Sequence, residues 1–152
     1  MDTGTNLPDV SVTLADGTAL TLPSLAGAPA AIYFYPKADT PGCTREAQDF
    51  TALADRFAAA GVAVLGLSRD PPARLATFAA KRALTVRLAA DETGAASDAF
   101  GVWGEKRLYG RTYMGLERAT FLFDRDGRLA REWRKVRVPG HAEAVLAAAL
   151  AL

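Results

Sequence analysis

Along the chain the spacing of apolar and polar positions changes several times, and each change marks an element. VSVTLADGTALTL, residues 10–22, alternates on either side of Asp16 and Gly17, which predicts a hairpin. AAIYFY, residues 30–35, is continuously apolar and aromatic, as a central strand covered on both faces must be, and Pro36 ends it. GVAVLGL, 61–67, is a second buried strand and TVRLA, 85–89, a shorter third; ATFLFD and RLAREW are strands joined across Asp126 and Gly127. Phe50, Leu53, Ala54 and Phe57 recur at helical spacing, so residues 42–60 are expected to form one helix stopped by Gly61. Leu75, Phe78 and Ala79 share a helical face behind Pro71 and Pro72, residues 95–100 read as a short helix, and HAEAVLAAALAL reads as a last one. Residues 101–115 are expected to be a long loop punctuated by glycine. Strands alternating with helices and followed by a hairpin predict an α/β sandwich around a central mixed sheet.

The length suits one core, so residues 1–152 are expected to form a single domain. Lys and Arg number 18 against 17 Asp and Glu, a balance that argues against broad binding to a nucleic-acid backbone. Neither a signal peptide nor a membrane-spanning stretch is legible, and a cytoplasmic protein is the default. A single cysteine and a single histidine change the picture most, because they exclude an intrachain disulfide, a Cys–His structural zinc site and a Cys-x-x-Cys redox pair.

That cysteine, Cys43, stands in PKADTPGCTREAQDF, where a buried strand ends, the chain turns, and a helix begins near Pro41 or Gly42. A sulfur in a first helical turn faces backbone N–H groups without intrahelical partners and the positive end of the helix dipole, which together stabilise negative charge. The bland reading is a structural cysteine behaving as a small hydrophobe. The Thr-Pro-Gly-Cys turn leading into a helix tips the balance toward the chemical reading, and Pro36, Thr40 and Cys43 stand in the spacing Pro-x-x-x-Thr-x-x-Cys. The segment resembles the peroxiredoxin active-site motif, and FYPKADTPGCT looks like the bacterioferritin comigratory protein, or Q-type, subgroup. LPDVSVTLADGTALTLPSLAG, FGVWGEKRLYGRTYMGLERATFLFDRDG and KVRVPGHAEAVL are similar to that subgroup as well, so the resemblance covers nearly the whole chain.

The resemblance implies a thioredoxin-like fold, with the N-terminal hairpin added, and a thiol-dependent peroxidase acting on hydrogen peroxide and organic hydroperoxides. It makes Cys43 the nucleophile, Thr40 a hydrogen-bonding partner of the peroxide, Pro36 the shield of the pocket, and Arg118 in GLERATF the remote arginine. Arg118, the Thr40 hydroxyl and the backbone of the Gly42–Cys43 turn would then meet the charge growing on the departing oxygen. Glu46 matches a frequent acidic position of the family, and equally reads as an ordinary acid in a helical first turn. Neither a cofactor nor a metal is implied.

One departure alters the mechanism. Many members of the subgroup carry a resolving cysteine five residues after the first, or on the following helix; here those positions are Gln48 and Ala79. A sulfenic acid on Cys43 must therefore meet an external thiol, such as thioredoxin, glutaredoxin or glutathione. The chain is expected to be a monomer, with a Cys43-linked dimer as a possible oxidised form. The rival reading is a non-catalytic redox sensor or chaperone that uses Cys43 once.

Other conspicuous residues yield no function. His141, the only base for a Cys–His hydrolase dyad, is expected to be a solvated helix-terminal residue. Arg128, Arg131, Arg134, Lys135 and Arg137 read as a solvated strand end, and Trp103, Tyr109 and Tyr113 receive no site role. One equivalent of peroxide should leave a sulfenic acid, or with added thiol a mixed disulfide, on Cys43 by mass spectrometry. Peroxide consumed with Cys43 unmodified would refute the one-cysteine reading.

Overall fold

The computed structural model describes all residues, 1–152. Seven strands form one mixed sheet: β1 (Ser11–Leu14), β2 (Ala19–Thr21), β3 (Ala30–Phe34), β4 (Ala63–Ser68), β5 (Arg87–Ala90), β8 (Ala119–Phe123) and β9 (Leu129–Trp133), ordered β2-β1-β5-β4-β3-β8-β9. The strands β3, β4 and β5 run parallel, whereas β1 and β8 join β5 and β3 antiparallel. Five helices complete the chain: α1 (Pro41–Ala52), α2 (Ala54–Ala59), α3 (Pro72–Lys81), α4 (Ala95–Ala99) and α5 (His141–Leu150). None is long and apolar enough to cross a membrane.

Because side chains alternate along a strand, β3 feeds two cores. Ala31 and Tyr33 point into a cluster with Phe50 of α1, Phe57 of α2, Phe78 of α3 and Val145 of α5. Ile32 and Phe34 point the other way, onto Phe100, Phe121, Phe123 and the N-terminal segment through Leu7 and Leu22. Every residue of β3 and β8 is buried, as the continuous apolar runs demanded.

Two sequence expectations fail. The single helix over 42–60 is two helices, because Leu53 leaves helical geometry (φ −98°, ψ 5°) and its N–H is shared between the carbonyls of Asp49 and Phe50 at 3.3 and 3.2 Å. No glycine or proline signals that break. The expected loop over 101–115 is instead an antiparallel ribbon of β6 (Trp103–Leu108) and β7 (Arg111–Leu116), outside the main sheet. Tyr109 and Gly110 turn it in two residues with φ of 52° and 75°, the left-handed geometry that matches strand twist. The ribbon escapes pattern reading because most of it is exposed, so no buried face imposes alternation.

The parallel pair β3–β4 fixes the floor beneath α1. Tyr33 lies opposite Gly66 in register, and its ring stacks on Phe50 with centroids 4.5 Å apart. Gly66 is required by that packing: a Cβ there would sit 2.6 Å from Tyr33 Cζ and 2.9 Å from Leu88 Cδ2. Gly66→Ala should therefore destabilise the fold by about 1–3 kcal/mol, read as a lower urea midpoint; an unchanged midpoint would show that Tyr33 can yield.

Candidate active site

The buried strand β3 runs out at Tyr35, and the chain turns through Pro36–Thr40 before α1 begins at Pro41. Ion pairs and hydrogen bonds pin that turn. Asp39, with φ of 62°, is paired to Lys81 at 2.7 Å and Arg82 at 2.9 Å at the end of α3, and the Ala38 N–H donates to Asp70 Oδ2 at 2.8 Å. Thr40 takes the N-cap position and Cys43 falls third in the helix, 2% exposed. The Thr44 N–H is the one that bonds back to Thr40 O, so the N–H groups of Gly42 and Cys43 lie in the unpaired first turn.

Arg118, between β7 and β8, reaches this turn from 75 residues away in sequence. Its Nη2 stands 3.4 Å from Cys43 Sγ, and its Nη1 donates to Glu46 Oε1 at 2.7 Å. Gly42 makes room for the approach, since a Cβ there would meet Arg118 Nη2 at 3.1 Å. The neighbouring Glu117, which the sequence offers as Arg118's obvious partner, is held instead by Arg134 at 2.8 Å. Arg118 is thereby left to face inward. Glu46 is 1% exposed and no solvated acid of a helical first turn; the ordinary alternative for it falls. Burial pushes its carboxyl up to about 7 despite Arg118, and its Oε2 has no partner. Burial disfavours charge on Arg118 too, but Glu46 and Cys43 outweigh it and hold the guanidinium above its ordinary range.

Of the predicted site residues, Cys43, Gly42, Glu46 and Arg118 come together directly. The Thr40 hydroxyl donates to Lys37 O at 2.8 Å, so its proton is engaged there and any further hydrogen bond it makes is as an acceptor. Pro36 lines a cleft of about 460 Å³ together with Trp103, Lys106, Tyr113 and Met114 of the β6–β7 ribbon. Trp103 and Tyr113 thus do line a cleft, while Tyr109 is 96% exposed at the ribbon's tip. Sequence reasoning missed Lys106 entirely, because the segment carrying it was read as a loop.

Residues 3–132 match the AhpC/TSA family. The chain belongs to that family. Among relatives of this peroxiredoxin, Peroxiredoxin Bcp of Xanthomonas campestris is 46% identical over 92% of this chain and 88% of its own, and Peroxiredoxin Bcp of Escherichia coli is 40% identical over 91% and 89%. A solved structure of the Xanthomonas campestris bacterioferritin comigratory protein, from work on its alkyl peroxide reduction activity, superposes with a TM-score of 0.91. The two are 44% identical and cover 99% and 98% of each other. The Xanthomonas protein, also called peroxiredoxin Q, has been solved as two different cysteine-to-serine mutants, whereas this peroxiredoxin has one cysteine.

His141 is a correction. It is buried rather than solvated: Nε2 lies 2.7 Å from Thr120 Oγ1, and the ring meets Phe50 and Trp133 edge-on. Nothing pairs it with Cys43, so the hydrolase dyad has no geometric basis. The five basic residues from Arg128 to Arg137 are exposed, as expected of a solvated strand end.

Burial, helped by the nearby Arg118, lowers His141 to about 4. Between about 4 and 6.5 the unfolded chain binds a proton that folded His141 refuses, so this term makes stability rise with pH. Glu46 acts in reverse: between about 4.5 and 7 the folded carboxyl keeps a proton the unfolded one has lost, so stability falls as pH rises. The two oppose each other across pH 4.5–6.5. In Glu46→Gln, urea stability should climb across that window by up to about 1.4 kcal/mol per pH unit, more steeply than in the parent; parallel profiles would show that Glu46 does not titrate there.

Proposed function

We propose that this peroxiredoxin reduces hydrogen peroxide and organic hydroperoxides through Cys43 in a one-cysteine cycle, the chain acting as a single domain in the cytoplasm. One observation carries the assignment of roles: a single guanidinium, Arg118, is anchored on Glu46 at 2.7 Å while its other arm lies 3.4 Å from the sulfur. In the first step the Cys43 thiolate attacks one peroxide oxygen. The S–O bond forms as the O–O bond breaks, and the departing oxygen leaves as alcohol or water after taking a proton. Arg118 and the Gly42–Cys43 N–H groups face the charge developing in that step, Thr40 accepts a hydrogen bond from the peroxide O–H, and Pro36 shields the pocket.

Thiol ionisation alone cannot account for the rate of such a step. An unperturbed thiol with pKa near 8.5 is about 3% ionised at neutral pH, so complete ionisation gains at most about thirtyfold. Intrinsic nucleophilicity falls as pKa falls, which erodes even that gain. Fixed donors aimed at the departing oxygen supply the remainder, each worth about 3 kcal/mol in comparable sites.

The second half of the cycle belongs to another molecule. Gln48 is exposed on α1 and Ala79 lies on α3, so neither position associated with resolution holds a thiol. An external thiol displaces hydroxide from the sulfenic sulfur, leaving a mixed disulfide and water, and a second thiol releases Cys43. A Cys43–Cys43 link between two chains would require the first turn of α1 to open, because Cys43 is 2% exposed. That argues for a monomer, and thioredoxin or glutaredoxin as reductant would need the same opening, whereas glutathione or a similar small thiol brings less bulk to the sulfur.

A peroxidase assay run separately with dithiothreitol, glutathione and thioredoxin as donor tests the assignment. The parent should turn over repeatedly, Cys43→Ser should be inactive, and Arg118→Gln should lose about 10²–10³-fold in kcat/KM for peroxide. A single turnover per Cys43 with every donor would make the chain a single-use sensor, and a minor loss in Arg118→Gln would remove the guanidinium from the chemistry.

A further inference from the structure

His141 and Thr120 are buried polar side chains that the peroxide step leaves unused, and each is the other's partner, with His141 Nε2 2.7 Å from Thr120 Oγ1. Thr120 is the one hydroxyl in a strand whose other residues, Ala119, Phe121, Leu122 and Phe123, are apolar and equally buried. An apolar pair could fill the same space with no polar group to satisfy. What the polar pair adds is direction, because its bond holds only while α5 keeps one alignment on β8.

That alignment bears on Arg118. Arg118 and Thr120 stand two residues apart, so their side chains leave the chain on the same face, roughly 7 Å from each other along it. Arg118 reaches Glu46 and Cys43, and Thr120 reaches His141. The connection from β9 to α5 grips this short segment three times. The Lys135 N–H donates to Glu117 Oε2 at 2.9 Å, the Val136 N–H donates to Arg118 O at 2.9 Å, and His141, at the end of the connection, holds Thr120. The His141 ring also meets Phe50 of α1 edge-on, with centroids 6.2 Å apart, and Phe50 stands about one helical turn beyond Glu46.

The strand that follows the arginine and the helix that carries the cysteine are therefore joined twice. Arg118 spans them at the site, and His141 spans them one step further in, through Thr120 on one side and Phe50 on the other. One joint would let α1 pivot about the guanidinium, whereas two fix an angle as well as a distance. Resting on the peroxidase reading above, we propose that His141 is a positioning residue for Arg118, and that its bond to Thr120 sets where the guanidinium stands relative to the Cys43 sulfur. It acts through Arg118 and takes no proton in the reaction. Burial and the nearby Arg118 hold the ring down to about 4, so at neutral pH it adds no charge beside the guanidinium.

The test asks whether the pair acts through the arginine. Stopped-flow rates of Cys43 oxidation by hydrogen peroxide are measured for the parent, Thr120→Val, Thr120→Ser and His141→Leu, under conditions where urea midpoints show each protein folded. Thr120→Val and His141→Leu should lose about 10- to 100-fold, as small misplacements of catalytic groups do, and Thr120→Ser, which keeps the hydroxyl, should stay within about threefold of the parent. In an Arg118→Gln background, Thr120→Val should cost less than about twofold more, because the group it positions is gone. Equal losses in both backgrounds would mean that the pair supports the fold at large, and would overturn the proposal. Parent-like rates in Thr120→Val, or Thr120→Ser as slow as Thr120→Val, would overturn it as well. Should His141→Leu fail to fold, the two Thr120 variants decide the matter without it. A parent protein that consumes no peroxide would instead strike the peroxidase reading, so the two failures are distinguishable.

Discussion

A guanidinium withdrawn from water must be met by negative charge, and in this protein that requirement organises the site. Arg118 loses solvation where it lies, and Glu46 and Cys43 are the groups that compensate it. Neither partner suffices for the chemistry by itself. Glu46 fixes one arm of the fork at 2.7 Å and so gives the other arm a direction, toward the sulfur. Because Glu46 and Cys43 stand three residues apart on one helix, they occupy one face, and a single planar cation spans them.

The rest of the fold serves to bring that cation to that helix. β8 lies antiparallel beside β3, so the chain enters β8 near the end of β3 from which the active-site turn departs. Phe34 pairs with Ala119, one residue after Arg118, and α1 starts seven residues after Phe34. Strand pairing therefore does the long-range positioning, and the turn and helix do the local part. Tyr33 and Phe50 hold α1 down on the sheet, and the Asp39 ion pairs tie the turn to α3.

What the sequence revealed follows the same division. Buried strands were legible because continuous apolar runs such as AAIYFY and ATFLF have few other uses in a chain of this size. Cys43 was legible because its turn carries its own motif. Arg118 was not legible from physical pattern, since an arginine beside a glutamate at a strand's start reads as surface; only the family resemblance singled it out, and the Arg134–Glu117 pair explains why the surface reading fails. His141 was misread because a residue following Pro-Gly at a helix start is normally wet, and only the packing of Phe50 and Trp133 against it makes it dry. The ribbon carrying Lys106 escaped for the opposite reason: it is ordered without being buried, and hydrophobic periodicity reports burial alone.

Gly42 carries a consequence that its own backbone does not announce. Most glycines of this chain hold left-handed turns, where any side chain is penalised. Gly42 sits in ordinary helical geometry that alanine would adopt more readily, and what alanine would meet there is its neighbour, with a Cβ 3.1 Å from Arg118 Nη2. The added methyl would press on Nη2 of a guanidinium held between the sulfur and Glu46, and the arm would have to yield by a few tenths of an ångström. A change that favours the helix would therefore be felt first at the guanidinium that stands 3.4 Å from Cys43, and not in the helix that carries it.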